Sequence, residues 1–239
     1  MKTSDIRVTA IHPERWGDDL DVVNAARVSF HKKAEWETSS WDGEHYNYLS
    51  EKDEKLIRYL AKHKHFSPFN HSFITMRVKA PIFVARQLVK HKFMPWNEVS
   101  RRYVDEEPEF YFPEYWRKKA DNVKQGSSEE KVDLKFSDWS SEGEDVLIET
   151  PYEMIEYQVE YYLRMMRQGV CAEQARMILP QNTLTEWIWS GTLGAWCDML
   201  TLRLDPHTQY ESRIVAQKAV ELIRPYFPVS IAARLEQND

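Results

Sequence analysis

The sequence has 239 residues, 42% apolar and 13% aromatic, enough for one large domain or two small ones with a real core. With 32 Lys and Arg against 38 Asp and Glu, the net charge is -6, which argues against non-specific nucleic-acid binding as the main task. Cys171 and Cys197 stand in neither a CxxC nor a zinc spacing, which excludes a disulfide scaffold and predicts two reduced, packed thiols. No apolar run resembles a signal peptide or reaches the roughly 18 residues a membrane span needs, so a soluble, cytoplasmic protein with no membrane partner is expected.

Residues 6–11 alternate apolar and polar and predict a strand. Residues 18–30 predict a helix, with Leu20, Val23, Ala26 and Phe30 at helical spacing. Residues 36–50 carry Trp, Ser, Asp and Gly without a period and read as a loop. A second helix is predicted over 51–64, with Leu56, Ile57, Leu60 and Ala61 on one face. Residues 72–79 alternate again, with Phe73, Thr75, Arg77 and Lys79 opposite Ile74, Met76 and Val78. Pro81 suits the first position of a helix running to about Lys92. Residues 93–112 suggest a hairpin broken near 105–108, and 117–149 read as an insertion, a polar loop carrying a short helix.

Thr150, Pro151 and Glu153 form a helix start with a capping box, continued by Ile155, Val159, Tyr162, Leu163 and Met166 and ended by Gly169. Residues 172–178 predict a short helix stopped by Pro180. The apolar run 184–204 reads as largely helical, and Asp205 with Pro206 as the start of a last long helix to about Arg224. A few strands among many helices, without a repeating βα unit, predict an α+β fold.

Three constellations could carry chemistry. Arg86, Gln87, Lys90, His91 and Lys92 lie within seven residues, and on a helix Gln87 and Lys90 share a face. Asn97, Glu98, Val99, Ser100, Arg101, Arg102 and Tyr103 follow, and the two together read as a solvated face or as a phosphate cradle. His65 and His71 bracket Ser67, Pro68 and Asn70. With no Glu or Cys at ligand spacing, this segment reads as a turn entering a strand, or as small polar groups facing a flat ligand, rather than as a metal site. Arg203 ends an apolar helix and either pairs with Asp205 or faces a ligand that becomes anionic during reaction. Glycine-rich phosphate loops are absent, which counts against a Rossmann or P-loop enzyme, and a GxSxG elbow and an HExxH helix are absent too. A single-strand nucleic-acid patch stacking on Phe93, Trp96 and Tyr103 is the reading from another class; Glu98, Asp105, Glu106 and Glu107 nearby weigh against it.

These segments resemble the flavin-dependent thymidylate synthase family, whose signature is Arg-His-Arg, seven residues, then Ser. Lys90, His91, Lys92 and Ser100 stand in that pattern. Residues 25–30, 65–71 and 80–87, Ala175 and Arg176 with Leu179 and Pro180, and Leu202 and Arg203 with Asp205 and His207 extend the likeness in order from about 18 to 225. The resemblance implies that family's fold, a small antiparallel sheet packed with several helices, as a single domain over 1–239 with insertions near 36–50 and 117–149. It implies reductive methylation of dUMP to dTMP, with FAD as cofactor, methylenetetrahydrofolate as carbon donor and NADPH as reductant. The sites would be shared between subunits of a homotetramer.

Carried over by position, Gln87, Leu88, Val89, Lys90, Glu98, Val99, Ser100, Arg101, Arg102, Arg176 and Arg203 would contact dUMP. Ser67, Lys90, His91, Lys92, Glu98, Thr192, Leu193, Gly194, Asp198 and His207 would border FAD. Arg203 would be catalytic, promoting the ionised form of the uracil. Neither cysteine stands in the motif cluster, so a cysteine-free route fits. The chain departs from the family pattern at Lys90 and Lys92 (Arg), Arg101 (Gly), Asn70 (Glu), Gly194 (Arg) and Asp198 (Asn), which bears on FAD contacts more than on dUMP.

Overall fold

Strand-forming alternation at two distant places builds the centre of the molecule. The computed structural model describes residues 1–42, 44–104, 106–121, 126–134 and 150–235. In chain order the strands are β1 (Lys2–Thr3), β2 (Arg7–Ala10), β3 (Glu37–Trp41), β4 (Glu44–Tyr48), β5 (Phe73–Pro81), β6 (Trp96–Glu98), β7 (Glu109–Phe110), β8 (Arg117–Lys119), β9 (Ser127–Lys131) and β10 (Leu184–Thr192). The helices are α1 (Asp19–Arg27), α2 (Glu51–Lys62), α3 (Ile82–Leu88), α4 (Pro151–Arg167), α5 (Ala172–Ala175), α6 (Leu193–Arg203), α7 (Tyr210–Ile223) and α8 (Pro228–Leu235). This is an α+β fold.

The main sheet runs β2-β5-β10-β6, and every neighbouring pair is antiparallel. β5 and β10 pair along their whole length, from Phe73 opposite Thr192 to Pro81 opposite Leu184. Ile74, Met76, Val78 and Ala80 on β5 share the buried face with Trp187 and Trp189 on β10. The other face is polar: Arg77 pairs with Glu186 at 2.9 Å, and Thr75 meets Ser190 at 3.0 Å. A sheet apolar on one side must be covered on that side alone. Helix α6 packs there, with Trp196 against Trp189 at 4.9 Å between ring centroids, joined by α7, α8 and α1. Asp19 at the start of α1 accepts the backbone N–H groups of Val229 (2.7 Å) and Ser230 (3.0 Å), so it caps α8 from across the core. Burial raises its carboxyl above the ordinary carboxylate range despite those bonds.

Several predicted elements stand. The strand at 72–79, the helix at 51–64 with Ser50 as its cap, and the Thr150–Glu153 capping box that opens α4 all form. Gly169 follows α4 at φ +90, a left-handed position that favours glycine.

Others are corrected. Residues 36–50 are not a loop but the exposed hairpin β3–β4, turning at Asp42 with φ +51; the Asp-Gly dipeptide was its signal. α1 stops at Arg27, and Phe30, expected on its apolar face, is 73% exposed. α3 stops at Leu88 rather than near Lys92, because Phe93 sits at φ +60 and Pro95 disfavours helix at the residue before it. Lys90, His91 and Lys92 therefore form a turn, and the shared helical face of Gln87 and Lys90 does not exist. Residues 93–112 form no hairpin: β6 joins β10, and β7 pairs in parallel with β1.

The run 184–204 is half strand and half helix. Its apolar character is common to both, and the β-favouring Thr185, Trp187, Ile188 and Trp189 settle its first half. The next helix begins at Tyr210, not Asp205; the Asp205 carboxylate instead accepts the backbone N–H of His207 at 2.7 Å in a turn. α8 is a further helix beyond Arg224. Within 117–149, the described part is the hairpin β8–β9 and not a helix; residues 105, 122–125 and 135–149 lie outside the described residues. Cys197 is packed as expected, whereas Cys171 is exposed. Among the described residues no helix is long and apolar enough to cross a membrane.

Candidate active site

Arg203 is the last residue of α6, and the carbonyl end of a helix favours a cation there. Its side chain is half-buried. Nε donates to Nε2 of His91 at 3.0 Å, and a terminal nitrogen donates to the backbone oxygen of Gln87 at 3.3 Å. Burial, and then the neighbouring guanidinium, push the His91 imidazole from 6.5 down to about 4. A guanidinium only donates, so Nε2 of the neutral ring accepts and Nδ1 carries the proton. Burial also lowers the pKa of Arg203 without discharging it. Asp205 is not its partner: that carboxylate is turned to the His207 ring at 3.0 Å. Among the described residues no carboxylate forms an ion pair with Arg203.

Gln87, on the last turn of α3, is held from the start of α7. Its amide nitrogen donates to the side-chain oxygen of Gln209, and its amide oxygen accepts from Ser212 at 3.0 Å. Gln209 and Ser212 were not singled out from sequence. They lie 122 and 125 residues away from Gln87, in no motif, and only the packing of α3 on α7 brings them in. Leu88 is buried core, and Val89, at the helix end, is exposed. Lys90 and Lys92 are exposed and make no ion pair among the described residues.

A second group gathers where β6 leaves the sheet. The Glu98 carboxylate accepts from Thr185 at 2.8 Å and from the Trp96 indole at 3.0 Å, and Val99 N–H bonds the Glu186 carbonyl at 2.8 Å. The Ser100 hydroxyl accepts from Arg102 Nε at 3.1 Å, and the Arg102 guanidinium lies 4.9 Å from the Tyr103 ring centre. Arg101 donates to the Glu106 carbonyl. Exposed Arg176, after α5, donates to the Glu173 carbonyl at 3.3 Å. Among the described residues no hydrogen bond or ion pair joins Ser100, Arg102 or Arg176 to Arg203. Trp96 stacks on Trp187 at 4.3 Å, whereas Phe93 and Tyr103 are exposed.

The third group sits at the opposite end of α6, about 15 Å from Arg203 at 1.5 Å per residue. The Thr192 hydroxyl caps α6 by accepting Ala195 N–H at 3.2 Å and donates to Asn70 Oδ1 at 2.8 Å. A Cβ on Gly194 would lie 2.3 Å from that same Asn70 oxygen, so the departures at 70 and 194 are one coupled feature. Leu193 is buried, and its N–H bonds the Ser72 carbonyl at 3.0 Å. Ser67 is exposed on the short 3-10 turn Ser67–Asn70 that leads into β5. Asp198, midway along α6, is paired with Arg234 at 2.5 Å. Among the described residues no group of three or more His, Cys, Asp or Glu could hold a metal ion. A cavity of about 420 Å³ opens elsewhere, against Phe112, Trp116, Lys131, Leu134 and Tyr152, and none of the predicted site residues lines it.

The fold and this arrangement define a class. The family model described as thymidylate synthase complementing protein, Thy1, matches residues 14–229, and the chain belongs to that family. Among relatives, the chain is 34% identical over 223 residues to a flavin-dependent thymidylate synthase of Thermosipho melanesiensis, covering 93% of this chain and 88% of that one. It is 36% identical over 222 residues to a protein of the same description from Kosmotoga olearia, covering 93% and 87%. Among solved structures it is similar to the UMP/dUMP methylase PolB of Streptomyces cacaoi bound with 5-Br dUMP, with a TM-score of 0.75 and 29% identity over 98% of this chain and 96% of that one.

Proposed function

We propose that this protein methylates dUMP to dTMP, with FAD as cofactor, methylenetetrahydrofolate as carbon donor and NADPH as reductant, in a cytoplasmic homotetramer whose sites are shared between subunits. The observation that carries the reading is Arg203: a partly desolvated cation held by a neutral imidazole and a carbonyl, with no carboxylate among the described residues to neutralise it. Uracil C5 is a weak nucleophile until negative charge builds on the ring. A guanidinium already fixed beside the N3 and O2 edge stabilises that charge without reorganising. Arg102, Arg176 and Ser100 supply forks and a hydroxyl for the phosphate. Arg102 is already steered by Ser100, and Gln87, Glu98 and Arg101 border the same ligand.

FAD supplies the hydride when bound. The residues fit an anionic dinucleotide at one end: Lys90 and Lys92 are cations without ion-pair partners among the described residues, and His91 keeps an N–H at Nδ1. The other end fits less well. Thr192 and Asn70 satisfy each other, Gly194 brings no charge, and Asp198 and His207 are engaged by Arg234 and Asp205. FAD is therefore held through Ser67, Lys90, His91 and Lys92 and released more readily than by members with Arg at 194. Stoichiometric FAD retained through extended dialysis overturns that point.

The deciding experiment is spectroscopic. NADPH should bleach the flavin of the loaded protein, and dUMP with methylenetetrahydrofolate should restore its colour and yield dTMP. A flavin that never bleaches, or bleaches without dTMP appearing, overturns the reading. The likeness to a protein described as a UMP/dUMP methylase favours UMP as a second substrate, and product masses from UMP and dUMP supplied together separate the two.

A further inference from the structure

The hairpin β8–β9 meets both the loop that joins Arg203 to α7 and the first turn of α7. Gly126, at φ +100, lies so close that a Cβ there would stand 3.3 Å from the His207 carbonyl oxygen. Arg117 reaches further in. It is largely buried, stacks at 4.6 Å on the Tyr210 ring, donates Nε to Ser127 at 2.7 Å, and places a terminal nitrogen 2.6 Å from the carboxylate of buried Glu211.

The other Glu211 oxygen accepts from the Gln209 amide nitrogen at 3.2 Å. Gln209 then presents its amide oxygen to the amide nitrogen of Gln87, whose own oxygen accepts from Ser212 at 3.0 Å. Every bond in this row has one polarity. A carboxylate only accepts, so Glu211 obliges Gln209 to turn its nitrogen inward and its oxygen toward Gln87. That in turn fixes which way the Gln87 carboxamide faces. The backbone oxygen of the same Gln87 receives Arg203.

We propose that Arg117 and Glu211, acting through Gln209, are positioning residues that set the orientation of the Gln87 carboxamide and so the affinity for the pyrimidine nucleotide. The residues of the hairpin thereby belong to the working site, although no hydrogen bond joins a described one of them to Gln87. This rests on the reading of Gln87 as a dUMP contact.

A double-mutant cycle on the full-length protein tests it, because residues acting through one row give non-additive losses. Arg117→Ala and Gln209→Ala should each weaken dUMP about five- to tenfold, the effect of a hydrogen-bonded network lost at a charged group. The double variant should be no weaker than Gln209→Ala alone. Unchanged dUMP affinity in folded Arg117→Ala, or losses that multiply, overturn the proposal. Arg117→Met keeps the apolar stem, removes the donor to Glu211 and takes the place of Arg117→Ala if that variant does not fold. If the unmodified protein binds no dUMP, the proposed function fails and the relay is judged separately. Its readout is then the Gln87 side-chain amide resonance, assigned by its loss in Gln87→Leu. That resonance should move in both Arg117→Met and Gln209→Ala, and one unmoved by Arg117→Met overturns the relay.

Discussion

Arg27 and Arg203 occupy matching places, each the last residue of a helix and each drawn out of water, yet they are held by opposite means. Arg27 faces the buried carboxylate of Asp53, itself steadied by the Ser50 hydroxyl at 2.7 Å. Arg203 faces a neutral ring and a carbonyl. The first site is closed in charge and can only hold α1 to α2. The second is open in charge, and a half-buried cation without a counter-ion is poised for an anion brought from outside. Helix ends favour cations in both cases, so the partner and not the position separates an arginine closed in charge from one left open.

The largest test of this contrast is Arg203→Ala. It should lower dTMP formation by about 10²–10³-fold, the usual loss for a preorganised donor to a developing oxyanion, with a melting temperature close to that of the unmodified protein. Near-normal turnover would remove Arg203 from the chemistry. Asp53→Ala should do the reverse. It strands a buried guanidinium, costing about 3–5 kcal/mol in a denaturant melt, while the surviving folded fraction keeps its specific activity.

His91 sharpens the comparison through pH. Its folded value of about 4 lies below the unfolded 6.5, so the folded state binds fewer protons between them. The stability associated with the neutral ring is full above about 6.5, declines as pH falls toward 4, and levels off below. His91→Gln should flatten that part of a melting-temperature profile; an unchanged profile would mean that the ring titrates normally. Ser100→Ala should be the mildest change. It steers Arg102 without bearing charge, so dUMP KM should rise about two- to fivefold with kcat nearly unchanged. A collapse of kcat would mark Ser100 as a nucleophile instead.

Periodicity carried the sequence reading wherever an element has one buried face. Ile74, Met76 and Val78 alternate and form a strand, and Ile57, Leu60 and Ala61 recur at helical spacing and form a helix. It failed where a strand runs without a break into a helix, or where burial is absent. Trp187 and Trp189 sit in an apolar run that a helix could equally use, and β3–β4 buries so little that only its turn dipeptide betrays it. Among candidate site residues, Arg203, His91 and Gln87 were legible because the motifs contain them, and the structure brings those three together. The reach of Gln209, Glu211 and Arg117 was not, since nothing within a dozen residues of any of them records a partner about a hundred positions away. The closeness of Asn70 to Gly194 was equally hidden: each departure was visible alone, and their contact exists only in space.

The Asp19 clasp sets an order on assembly. Its ligands, the amides of 229 and 230, come some two hundred positions after it, so a growing chain leaves the acid at the start of α1 without these partners until both have been made. Long-range closures of this kind slow folding. A ribosome-held intermediate ending before residue 228 should therefore stay loose around α1 and α2 and gain protease resistance only once α8 emerges.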